Sequence, residues 1–119
     1  MKLKTPGLFR QQCYVDGAWI DEDSGATMEV TNPADGSVLG TVPKMGADET
    51  RRAIEAANRA WPAWRARTAK DRAAILRKWY DLVLENQEDL ALLMTLEQGK
   101  PLAESRGEVV YGASFIEWF

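Results

Sequence analysis

Histidine is missing from this 119-residue chain, and cysteine occurs once, as Cys13. The first absence removes the commonest general base and the commonest metal ligand. The second rules out an internal disulfide and every paired-cysteine metal site. No apolar run approaches the ~20 residues that a membrane-spanning helix needs. Lys2 and Lys4 stand near the N-terminus, but no apolar signal core follows them. Positive charge is scarce as well: 15 Lys and Arg stand against 18 Asp and Glu, for a net charge of −3. The basic side chains alternate with acids and form no stripe, which argues against a nucleic-acid interface. The expectation is a cytoplasmic protein that binds neither nucleic acid nor membrane.

What is present reads as globular. Hydrophobic residues make up 45% of the chain and charged residues 28%, a balance unlike that of a disordered segment. The length suffices for one small domain with a core.

Residues 1–12 are polar, carry Pro6 and Gly7, and read as an arm with little structure of its own. Tyr14 to Ile20 reads as a hairpin, because Asp16-Gly17 is a favoured type I′ pair between β-forming residues. After a polar loop from Asp21 to Ala26, Met28 to Val30 forms a second strand. Asn32-Pro33-Ala34-Asp35-Gly36 is a dense turn cluster. Val38 to Val42 returns, and Pro43 ends it.

The period then changes to helical. Ala53, Ile54, Ala57, Ala60, Trp61 and Trp64 recur at helical spacing behind Asp48 and Glu49, and Pro62 ends or kinks this helix. Thr68 caps a second helix with Asp71 three residues on, and Ile75, Leu76, Trp79, Tyr80, Val83 and Leu84 form its stripe. Asn86 is placed to cap a third, with Asp89 at the third helical position and Leu90, Leu93, Met94 and Leu96 on its apolar face. Gly99 suits the left-handed residue that stops it, Lys100 the negative end of its dipole, and Pro101 the first turn of the next. The last helix carries Val109, Val110, Ala113, Ile116 and Phe119, with Tyr111, Phe115 and Trp118 around it. Its apolar content rises to the final residue without a cap. The expectation is a fragment of a longer protein whose apolar faces pack partly on further sequence.

The run LMTLEQGKPLAE, residues 93–104, resembles the N-terminal part of the aldehyde dehydrogenase superfamily. YGASFIEWF, residues 111–119, is most like its succinate-semialdehyde dehydrogenase branch. YVDGAWID, VTNPADGSVLGTVP and ADETRRAIEAANRAWPAWRA extend the resemblance from about Phe9 to Phe119 in matching order. The fold implied is α/β and aldehyde dehydrogenase-like: two short β-hairpins followed by about four helices. Residues 13–119 would be an incomplete N-terminal part of the cofactor-binding domain.

In that family a cysteine thiolate attacks the aldehyde, hydride passes to NAD or NADP, and a glutamate activates water to release the acid. The resemblance implies that these groups lie outside this chain, which has no Gly-Gln-x-Cys motif, no Glu-Leu-Gly-Gly motif and no G-x-G-x-x-G loop. No catalytic or cofactor-binding residue is therefore expected here. Cys13 stands beside a strand with no histidine to activate it, and reads as structural. Glu97 matches a position where relatives place an acid at a structural monovalent-cation site, with the carbonyls of Val30 and Thr31 as companions. A surface carboxylate in a helix-end network is the plainer alternative. The helix with Glu108, Gly112 and Phe115 resembles one flanking the substrate tunnel, which Phe115 would line unless it is ordinary core.

The expected partners are the remainder of the dehydrogenase fold, a small aldehyde substrate, and further copies in a homo-oligomer when intact. The expected reaction converts a semialdehyde, NAD(P)+ and water to a dicarboxylate. Glutarate semialdehyde or another aldehyde stays open beside succinate semialdehyde, as does NAD beside NADP. The rival class is a non-catalytic helical module that binds a partner through tryptophan-rich faces, for which five tryptophans are available.

Overall fold

The computed structural model describes residues 2–119 and follows the expected order of two hairpins and four helices. Strands β1 (Cys13–Val15) and β2 (Ala18–Ile20) pair antiparallel around Asp16 and Gly17. Both turn residues have positive φ, 52° and 81°, as a type I′ turn requires. Tyr14 faces Trp19 across the pair with ring centroids 5.1 Å apart. Strands β3 (Thr27–Thr31) and β4 (Val38–Pro43) form the second hairpin. Its turn is built by Asn32, whose carbonyl accepts from Gly36 N–H and whose side chain accepts from Ala34 N–H. Pro43 closes β4 opposite Thr27, so it is the last residue of the strand and not the first beyond it.

Helix α1 runs from Ala47 to Arg65 and α2 from Ala69 to Glu85. Helix α3 spans Gln87–Gln98 and α4 spans Leu102–Trp118. Pro62 does not end α1. It forfeits only its own bond to the Asn58 carbonyl, and Ala66 N–H reaches back to the Pro62 carbonyl at 3.2 Å. Thr68 caps α2 as expected, its hydroxyl accepting from Asp71 N–H at 3.1 Å. Gly99 ends α3 at φ 73°, donating to the Thr95 carbonyl.

Asn86 and Asp89 depart from expectation. Asn86 makes no cap for α3; its amide donates to the Leu82 carbonyl and so closes α2. Asp89 turns away from its own helix and accepts from Lys4 N–H at 3.0 Å and Thr5 N–H at 2.7 Å. The arm is thus short of secondary structure, with one 3-10 turn at Pro6–Leu8, but it is docked.

The core is made of small residues. Ser105, Val109 and Ala113 face inward along α4 at four-residue spacing, and Ala91 of α3 is buried beside them. Small side chains let helix axes approach closely. Inside this packing the Thr95 and Ser105 hydroxyls pair at 2.9 Å. On α1, Ala56 is buried and Ala53 half-buried, while Ala57 and Ala60 are exposed; together they line an open hollow beside the tip of the first hairpin. Ile54 and Trp61, read from the sequence as part of the buried stripe, are exposed instead. On α2, Ile75, Trp79 and Leu82 are exposed, while Leu76, Tyr80 and Val83 are half-buried. The radius of gyration is 16.6 Å, against ~13.5 Å for a compact domain of this length. The extents of 49 × 37 × 20 Å describe a slab with open apolar faces.

Candidate functional site

The junction between α3 and α4 is where the chain brings distant segments together. Gly99 takes a left-handed conformation, and a Cβ there would stand 2.9 Å from Cγ of Pro33. The residue must be glycine on both counts: the φ value and the proline ring leave no room for a side chain. This contact lays the end of α3 against the turn of the second hairpin. Lys100 follows and pairs with Glu108 one face further along α4.

The three residues expected at a cation site come from the two segments that meet here. Glu97 lies in the last turn of α3, two residues before Gly99, and Thr31 lies two residues before Pro33. Glu97 is exposed, and among the described residues its carboxylate makes no side-chain hydrogen bond or ion pair. At Val30 and Thr31 the ladder is irregular: Val30 faces Gly40 but Thr31 faces Val38, so Leu39 is skipped. Such a bulge leaves one residue without a partner and re-aims the backbone around it. A carboxylate and backbone carbonyls are the kinds of oxygen ligand that a hard cation takes. Among the described residues, no three Cys, Asp or Glu side chains cluster as a metal site of their own.

Phe115 lies on the exposed side of α4, not in the core. Tyr111 packs edge-on against it, with centroids 4.9 Å apart at 83°. With Ser114, Glu117, Trp118 and Phe119 it lines an open hollow of about 650 Å³. Trp118 and Phe119 are 82% and 87% exposed, so this end of α4 presents aromatic rings outward. Gly112 has open space where a Cβ would be.

Charged pairs fix the helices around this region. Arg106 grips Glu88 with three contacts of 2.8–3.1 Å, and its guanidinium holds the Glu88 carboxyl below the usual range. Arg77 pairs with Glu117 at 2.9 Å, which raises the arginine further. These pairs are exposed and orient α4 more than they stabilise it.

Cys13 is half-buried in β1, opposite Ile20. The sequence contains no G-x-G-x-x-G loop. The residue that sequence reasoning missed is Asp89, whose role rests on contacts 84 and 85 positions away. No local signal marks such a pairing.

The aldehyde dehydrogenase family model matches residues 19–119. A glutarate-semialdehyde dehydrogenase of Pseudomonas aeruginosa is 68% identical over all 119 residues, which make up 25% of that protein. The succinate-semialdehyde dehydrogenase [NADP(+)] of Escherichia coli is 66% identical over the same span, again 25% of its length. A crystal structure of an E. coli NADP-dependent enzyme superposes on 98% of this chain and 24% of that one, with TM-score 0.97 and 66% identity. The chain therefore spans about a quarter of the length of the relatives it matches. Matched along most of its length in sequence and nearly all of it in backbone, the chain belongs to the aldehyde dehydrogenase family.

Proposed function

We propose that residues 13–119 form the N-terminal part of the cofactor-binding domain of an NAD(P)-dependent semialdehyde dehydrogenase. The observation that carries this reading is identity of 66–68% along the whole chain with two semialdehyde dehydrogenases. The intact enzyme oxidises a small ω-carboxy aldehyde to a dicarboxylate as a cytoplasmic homo-oligomer. The nucleophile, the water-activating base and the dinucleotide site come from outside this chain. What this chain supplies is scaffold, with two contributions near the chemistry.

Glu97, with the carbonyls of Val30 and Thr31, holds a structural monovalent cation. The exposed Glu97 carboxylate in the last turn of α3, whose end meets Pro33 just beyond Thr31, supports this. Phe115 lines the approach to the substrate, supported by its place on an outward aromatic face of α4. Succinate semialdehyde is the first substrate to assay. Glutarate semialdehyde is the second reading, favoured by the Pseudomonas relative.

The test is an NAD(P)+ reduction assay of the 119-residue chain with both semialdehydes. No turnover above buffer is expected. Turnover would overturn the assignment of the catalytic groups to other sequence.

A further inference from the structure

We propose that residues 4–12 are a releasable strap, clasped by the Asp89 carboxylate, that ties both hairpins to the helices. The clasp is built for the arm's backbone. Both Asp89 oxygens are taken, one by Lys4 N–H and the other by Thr5 N–H, and Asp89 is only 6% exposed. The Thr5 hydroxyl donates to the Asn86 side chain beside it.

From there the strap crosses to the hairpins. Phe9 and Gln11 close on Gly40 of β4 so tightly that a Cβ at that glycine would stand 2.7 Å from each. The Gln11 side-chain oxygen accepts from Thr41 N–H at 2.8 Å. Arg10 lies over the Trp19 ring at 4.6 Å, and Gln12 donates to Asp21 at 3.0 Å. Six residues of the strap thus reach β2 and the loop after it, β4, and the start of α3.

Release is possible because the strap has almost no structure of its own. Its internal backbone bonds are Leu8 N–H to Thr5 and Phe9 N–H to Pro6. A terminal segment with so little internal hydrogen bonding opens locally, at far less cost than global unfolding. Release is also all-or-none at the clasp. An Asp89 oxygen that loses its donor while the strap still covers it keeps its desolvation penalty, whereas full release opens the carboxylate to water, so a half-open clasp is disfavoured.

The first readout is hydrogen exchange at the Lys4 and Thr5 amides of the wild-type protein. Both are expected to exchange at least about tenfold more slowly than in an unstructured peptide, and in step with each other. Exchange of either at the free-peptide rate would overturn the clasp.

The second readout is limited trypsinolysis with far-UV circular dichroism as a fold control. D89N keeps the shape of the side chain but presents an amide where an acceptor is needed. It is expected to raise the initial cleavage rate at Lys4–Thr5 about tenfold. Q11A is expected to speed cleavage at Arg10–Gln11 while Lys4–Thr5 stays protected. Equal rates at Lys4–Thr5 in wild type and a folded D89N would overturn the proposal. So would loss of protection at Lys4–Thr5 in Q11A.

Discussion

Gly99 and Pro33, 66 positions apart, are in contact so close that a Cβ on the glycine would stand 2.9 Å from the proline Cγ. The contact joins the end of α3 to the turn of the second hairpin. It also fixes the spacing between the segments that carry Glu97 and Thr31.

Gly99→Ala therefore has two separable costs. The left-handed φ of 73° remains strained for any L-residue, at about 1–2 kcal/mol. The new methyl meets the proline ring as well. Urea denaturation of G99A, P33A and the double variant measures both parts. P33A is expected to relieve the clash and leave the φ strain, so the double variant recovers part of the loss. Full additivity would mean that the ring does not meet the methyl.

The loop between the hairpins carries a pH dependence of known sign. Glu22 accepts from the Ser24 hydroxyl at 2.7 Å and from the Ala26 and Ser24 amides at 2.8 Å. The Ser24 hydroxyl is the largest cause of its lowered pKa, followed by the Ala26 amide. A carboxylate depressed in the folded state contributes stability above its unfolded pKa and loses it as pH falls through the folded value. Wild-type stability is expected to fall more steeply below the ordinary carboxylate range than that of E22Q. An NMR titration checks the site directly: Glu22 should titrate below a free glutamate. A midpoint at or above the ordinary value would contradict the hydrogen-bond assignment.

The cation reading predicts an ion-specific effect. In a dehydrogenase-length protein carrying this segment, Tm is expected to rise when tetramethylammonium is replaced by potassium at constant ionic strength. E97Q should lose most of that difference. The same rise in E97Q would remove Glu97 from the site.

Much of this fold is legible along the chain. Asp16-Gly17 sets the first hairpin, Thr68 caps α2, and Gly99-Lys100-Pro101 marks the break before α4, because turns and caps are decided by neighbours in sequence. The faces of the helices are less legible. Ile54 and Trp61 have the right period, yet both are exposed, while Ala56 of the same helix is buried. Asp89 is the clearest failure. An acid in a first helical turn reads as a local cap, whereas its partners are backbone amides 84 and 85 residues away. At the junction, periodicity and caps reveal the helix stop, while Glu97 stood out only through the family resemblance. An exposed carboxylate carries no local mark of a role.

The most direct test of the central claim is a chimera. The 119 residues of this sequence replace the matching segment of the E. coli succinate-semialdehyde dehydrogenase, to which they are 66% identical. The readout is kcat for NADP+ reduction with succinate semialdehyde. A scaffold that belongs to this fold is expected to keep kcat within about tenfold of the parent, since the groups that do the chemistry are unchanged. A chimera that folds and assembles like the parent yet shows no turnover would contradict it.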